Sequence, residues 1–223
     1  MRGAVSVVLR SGWVRAWLAV GLCVGAALPV PALSADWALS DLQLRQLKAG
    51  GVIAEGDIAP NRMAADVRAA VQVSAPPETV FLTLTDCSRA LRFVPHLKRC
   101  AVVDTASDGS WQEVEQQSDY GWLLPKATYV FRATYEKFTR IRFSHLRGDF
   151  KVNEGVWDFL PVDEGRATLV TYQARLVPDF YVPRWMMRSM LKRDLPELMR
   201  GLRTEAEKVR PGAATNGRPP PGP

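Results

Sequence analysis

The chain has 223 residues, with 29 basic and 23 acidic side chains, a formal charge of +6, two histidines and three cysteines. Arg2, Arg10 and Arg15 fall in the first 34 residues with no acid among them, which leaves 26 bases against 23 acids in the remainder. A net +3 of mixed sign is no footprint for a polyanion and excludes nucleic acid as a partner.

Residues 1–34 read as a cleaved secretory signal. The three arginines give a positive start, Ala16 to Leu28 is apolar or small throughout, and Pro29 and Pro31 end any helix. Ala32 and Ser34 then place small residues at −3 and −1 of a cut after Ser34. An uncleaved membrane anchor is the alternative, but the apolar run is short of the ~20 residues that span a bilayer. The expected location is the periplasm or the exterior. At the other end, residues 211–223 are mostly Pro, Gly and Ala, with nothing to bury, and are expected to be a disordered tail.

Residues 35–64 are read as an N-terminal helix and extension. Leu42, Leu44 and Leu47 belong to a short helix over 41–48, stopped at Gly50-Gly51. From Ala65 to Val73 the chain alternates, with Val67, Ala69, Val71 and Val73 on one face, and predicts a strand. Ser74 or a neighbour is expected to cap the next helix, which has Pro in its first turn, carries Val80, Phe81 and Leu84, and ends near Asp86. A short helix or loop with Leu91, Phe93, Val94 and Leu97 follows. Cys87 and Cys100 are the pair left once the leader is gone. In an oxidising compartment they form either a disulfide, worth ~3 kcal/mol for a loop of about a dozen residues, or two buried thiols.

The period is then two for almost eighty residues. Strands are predicted over 99–105, 111–120, 127–136, 138–147, 153–162 and 166–177, separated by turn signals at Asp108-Gly109, Gly121 to Pro125, Gly148-Asp149 and Asp163 to Gly165. That spacing means an antiparallel meander. From Pro183 on, Met187, Leu191, Leu195, Leu198, Leu202, Ala206 and Val209 form one stripe of a long amphipathic helix, with Pro196 expected to kink it.

This order, with Val71-Gln72-Val73-Ser74-Ala75-Pro76-Pro77-Glu78, Arg92-Phe93-Val94-Pro95-His96-Leu97, Gly155-Val156-Trp157 with Pro161, and Leu195-Pro196, resembles the START-like superfamily with the helix-grip fold. Within it, the chain is similar to the bacterial polyketide cyclase/dehydrase and coenzyme Q-binding START-domain branch. The resemblance implies an α+β domain over 65–210: a curved antiparallel β-sheet wrapped around a long C-terminal α-helix, with an apolar cavity between them. It also implies sterol, lipid, quinone or polyketide ligands, with catalysis of cyclisation or dehydration in a minority of members.

No catalytic or metal-ligating pattern stands out in the residues themselves. His96 and His145 are far apart in sequence, and no third ligand lies at suitable spacing. His145 shares the face of Ile141 and Phe143 and is either a cavity base or a strand-end residue bonded to backbone. Glu113 and Glu115 share an outer face with Trp111, Gln117 and Asp119, which turns Val114, Gln116, Ser118, Tyr120 and Trp122 inward. Buried Gln116 and Ser118 need a partner from a ligand, water or a neighbour. The same alternation offers Tyr129, Phe131, Phe143, Trp157 and Tyr172 as cavity residues. Phe81, Phe93 and Leu97 join them from the first helices, and Trp185, Met186 and Met190 from the entry of the last.

The chain is thus expected to be an exported monomer that binds or transfers a hydrophobic small molecule without a cofactor or metal. The Val177 to Val182 loop is read either as a lid or as a site of transient membrane-surface contact. The alternatives are a cyclase or dehydrase acting on a polyketide-like substrate, which needs a histidine or carboxylate in the cavity, and a non-catalytic envelope interaction protein.

Overall fold

The computed structural model describes residues 37–59 and 64–209. The leader over 1–34 and the tail over 211–223 lie outside the described residues. The first helix, α1 (Asp41–Lys48), has its N-terminal donors satisfied by a reciprocal cap: Gln43 N donates to Ser40 Oγ at 3.3 Å, and Ser40 N donates to Gln43 Oε1 at 2.9 Å. A strand, β1 (Val52–Ile58), follows and pairs antiparallel with β2 (Ala65–Val73). Sequence patterning gave no strand at β1, because its polar residues Glu55 and Asp57 fall together with Gly56 at its end rather than in alternation with apolar ones.

Two short helices come next, α2 (Pro77–Thr85) and α3 (Cys87–Phe93). Ser74 does not cap α2. The helix starts at Pro76 with no side-chain cap, and Ser74 instead donates its backbone N–H to Glu207 Oε1 at 2.8 Å. Proline early in α2 removes a donor that would have been unpaired in any case. Asp86 caps α3, accepting from Ser88 N at 2.8 Å and Ser88 Oγ at 2.6 Å. The region offered as helix or loop is therefore a helix that closes before Val94.

The meander follows as β3 (Leu97–Thr105), β4 (Trp111–Ser118), β5 (Ala127–Glu136), β6 (Arg140–Gly148), β7 (Phe150–Val162) and β8 (Ala167–Pro178). All eight strands form one antiparallel sheet in the order β1-β2-β8-β7-β6-β5-β4-β3. The β6–β7 turn admits only glycine. Gly148 has φ +107°, and a Cβ there would stand 2.3 Å from Thr128 O.

The last element, α4 (Arg184–Glu207), continues through Pro196 and lies against β1, β2, α2 and α3. Its buried stripe of Met187, Leu195, Met199, Leu202 and Ala206 joins the main core with Val67, Val71 and Val73 of β2, Val80 and Phe81 of α2, and Val170 of β8. The curved sheet wrapped on this helix is the helix-grip α+β fold. A second, smaller cluster of Leu47, Ile53 and Ala70, with Trp37, Leu39 and Leu169 against it, lies under α1. It buries the outer side of β2 as well, which is why Ala70 is as enclosed as the inward Val71. Glu55 ties this layer down by accepting from Gln43 and Arg68, each at 3.0 Å.

Candidate functional site

Alternation along β4 to β8 leaves every second side chain on the concave side, and α4 does not fill all the space in front of them. A cavity of about 320 Å³ remains between sheet and helix. Its sheet wall includes Gln116 and Ser118 from β4, Tyr129 and Phe131 from β5, Phe143 from β6, Trp157 from β7 and Tyr172 from β8. Met187, Met190, Leu191 and Leu198 of α4 face them, and Leu84, Ala90 and Val94 close the α2–α3 side. Phe180 and Val182, between β8 and α4, add to the wall.

The aromatic rings of the wall support one another. Tyr172 lies 4.2 Å from the Trp157 ring and stacks on Phe143 at 6.2 Å, and Phe131 meets Phe143 edge-on at 5.9 Å. Gly155 makes room for this group: a Cβ there would come within 2.7 Å of Phe143 Cζ and 2.2 Å of Gln173 O.

The polar groups on the wall divide into two kinds. Gln116 and Ser118 are satisfied by neighbours. Tyr129 Oη donates to Gln116 Oε1 at 2.9 Å, Gln116 Nε2 reaches Cys100 Sγ at 3.8 Å, and Ser118 also bonds the Tyr129 hydroxyl. Tyr120, Tyr172 and Asn153 have no side-chain hydrogen-bond partner among the described residues. Burial pushes the Tyr172 phenol well above its ordinary value, and the hydroxyls of Tyr129 and Tyr120 add to the effect. Tyr120 is raised in the same way by burial, then by Tyr129 and Asp194. These phenols therefore remain neutral donors.

Cys87 and Cys100 are joined in a disulfide that lines the cavity beside Gln116 and ties the start of α3 to the middle of β3. His96 stands in the left-handed region at φ 62° just after α3. Its ring stacks on Tyr120 at 4.5 Å, and its Nε2 lies 3.4 Å from Asp194 Oδ2, close enough for an ion pair but without hydrogen-bond alignment. On the outer face, Glu113 pairs with Arg132 at 2.6 Å and Glu115 with Arg99 at 3.6 Å, while Arg132 lies over Trp111 at 4.3 Å. Among the described residues no group of three or more His, Cys, Asp or Glu could hold a metal ion. No helix among them is long and apolar enough to cross a membrane.

Residues 73–203 match the family model described as polyketide cyclase/dehydrase and lipid transport. The chain belongs to that family. No curated protein matches it. Solved structures with the family's START-like fold include a STAR-related lipid transfer protein from Xanthomonas axonopodis, 18% identical over 70% of this chain and 93% of that one, with a TM-score of 0.60. The Zhui aromatase/cyclase of Streptomyces sp. R1128 is also 18% identical, over 65% of this chain and 94% of its own, at 0.54. Human STARD10 is 11% identical over 80% and 84%, at 0.59. At these identities the likeness is one of fold.

Of the residues expected in this START-like cavity, Gln116, Ser118, Tyr120, Tyr129, Phe131, Phe143, Trp157, Tyr172 and Met190 line it. Phe81, Phe93, Leu97 and Met186 do not; they are packed in the core, Phe81 edge-on to Tyr135 and Phe159. Trp122 is 93% exposed rather than inward, because β4 ends at Ser118 and Gly121 at φ +76° turns the chain into a short 3-10 turn. Trp185 is 62% exposed, on the solvent side of α4. His145 is half-buried opposite Phe131 but off the cavity wall, since β6 pairs with β7 only over Arg140–Phe143 and the strand end beyond is free of it. Its Nδ1 is buried without a hydrogen bond. Asn153 was missed, although alternation back from Trp157 through Gly155 reaches it. Phe150 could not be found that way, because a register shift follows it.

Proposed function

We propose that this chain is an exported protein that binds or transfers a hydrophobic small molecule such as a lipid, quinone or sterol-like compound, working as a monomer. The cavity carries the reading: about 320 Å³, walled by aliphatic and aromatic side chains, with no Asp, Glu, Lys, Arg or His on its wall among the described residues. Desolvating an apolar ligand there contributes roughly 25 cal/mol per Å² buried. Export rests on the leader read from the sequence and is supported by the Cys87–Cys100 disulfide, which suits an oxidising compartment. Contact with a membrane during exchange is supported by the exposed Trp122, Tyr181 and Trp185, whose two segments also supply cavity walls.

The cyclase reading depended on a histidine or carboxylate reaching the cavity. Neither His96 nor His145 lines it, so no observation favours that reading over binding. The test is solvent extraction of the purified protein, followed by mass spectrometry. A stoichiometric apolar compound is expected. Its absence, together with failure of the protein to take up apolar dyes, would sink the proposal.

A further inference from the structure

On the reading that the cavity binds an apolar molecule, we propose that it selects ligands with an uncharged, oxygen-bearing head, a carbonyl or a hydroxyl, and that Tyr172 and Asn153 hold that oxygen. Both side chains are more than nine-tenths buried, at 8% and 6% exposure, and both open on the cavity. Neither the Tyr172 hydroxyl nor the Asn153 amide has a hydrogen-bond partner among the described residues. Buried polar groups are costly when unpaired, so whatever fills the cavity must satisfy them.

The two residues come from adjacent strands, Asn153 opposite Leu176 and Tyr172 opposite Trp157, and both line the cavity. The Tyr172 ring stacks on Phe143, Phe143 pairs with Gly155, and Asn153 is two residues from Gly155 on the same side of β7. A phenol O–H donates to a carbonyl or hydroxyl oxygen. The amide can donate through its NH2 and accept from a hydroxyl, so the pair suits either head. Tyr120 adds a third unpaired hydroxyl on the wall.

The same wall disfavours charge. A carboxylate or phosphate head would meet no cation among the described wall residues, and an ammonium head no anion. Asp194 and His96 lie beside Tyr120 but off the wall, with His96 Nε2 3.4 Å from Asp194 Oδ2 and Asp194 Oδ1 accepting from Arg193 Nε at 3.0 Å. Burial keeps Tyr172 and Tyr120 protonated, so they serve as neutral donors rather than as phenolates that would attract cations.

The test is displacement of Nile red by ligands that share one chain and differ in the head: hexadecanol, methyl palmitate, ionised palmitate, protonated hexadecylamine and headless hexadecane. The alcohol and the ester are expected to bind at least about tenfold more tightly than either ion, the scale of one well-made hydrogen bond plus an uncompensated charge. Tyr172→Phe and Asn153→Leu, each checked for an unchanged circular dichroism spectrum, are expected to reduce the affinity of alcohol and ester relative to hexadecane by about tenfold. Equal or tighter binding of palmitate or the amine overturns the proposal. So does an unchanged ratio in both variants, which would mean that these groups bond only water. If no ligand binds, hexadecane and Nile red included, the hydrophobic-binding reading itself falls and the head-group assignment with it.

Discussion

Four of the five tyrosines sit where ionisation is expensive. Burial pushes Tyr120, Tyr129 and Tyr172 far above the ordinary 10.0, with a Ser118 hydrogen bond opposing it at Tyr129, and raises Tyr135 to about 12. A phenol whose folded value is raised stabilises the fold fully below pH 10, and that contribution is lost as pH climbs above it. Absorbance at 295 nm should therefore show these four phenols silent as pH passes 10. They should then ionise with the loss of near-ultraviolet circular dichroism, as alkaline unfolding exposes them. Reversible ionisation of these four near pH 10 with the native spectrum intact would contradict this burial. The fifth, Tyr181, is 75% exposed.

At the level of elements, α3 is held twice at its N-terminal end. Asp86 caps it, and next to the cap Cys87 binds it to Cys100 in β3, closing a separation of 13 residues. In the chain-entropy model such a closure is worth about 3 kcal/mol, which for a domain of this size corresponds to roughly 6–12 °C in thermal midpoint. Cys87→Ser with Cys100→Ser, or full reduction, should lower the midpoint by that much and also weaken uptake of an apolar dye, because both sulfurs line the cavity. A midpoint unchanged on reduction would show that the bond constrains nothing. Most elements were legible because each repeats one period long enough to read: two from Cys100 to Val177, about 3.6 from Met187 to Val209. Each failure has a local physical cause. Trp122 broke the count because β4 ends at Ser118 and Gly121 turns the chain, His145 because β6 parts from β7, and β1 because Glu55, Gly56 and Asp57 interrupt its apolar run. Which inward side chains face empty space and which pack solid was not legible at all. Phe81 and Tyr135 are both inward aromatics, yet only Tyr135 lines the cavity, a difference made by how α2 seats on the sheet.

For the whole molecule, the question is how an apolar ligand enters and leaves a cavity walled by sheet, helix and loops. Two segments combine wall residues with outward aromatics. The β4–β5 connection places Tyr120 and Leu124 on the wall and Trp122 outside; the stretch from β8 into α4 places Phe180, Val182 and Met187 on the wall and Tyr181 and Trp185 outside. Tryptophan and tyrosine favour the lipid–water interface, where an apolar ring and a polar edge are both accommodated. Exposed Arg184 and Arg188 stand at the entry of α4 and would draw it toward anionic lipid. If these segments dock while a ligand passes, their aromatics govern the rate of exchange and leave equilibrium binding alone. Trp122→Ser with Trp185→Ser should keep the thermal midpoint and the affinity for dehydroergosterol in solution. Transfer of that sterol between anionic vesicles should slow by about tenfold, the effect of losing 1.4 kcal/mol of interfacial contact. Raised salt should slow the unaltered protein as well, since charge attraction is screened within a Debye length of about 10 Å at 0.1 M. Transfer that keeps its rate in the double variant would mean that the ligand reaches the cavity by another route. Slower transfer accompanied by weaker binding would mean that Trp122 and Trp185 support the cavity itself rather than the contact with lipid.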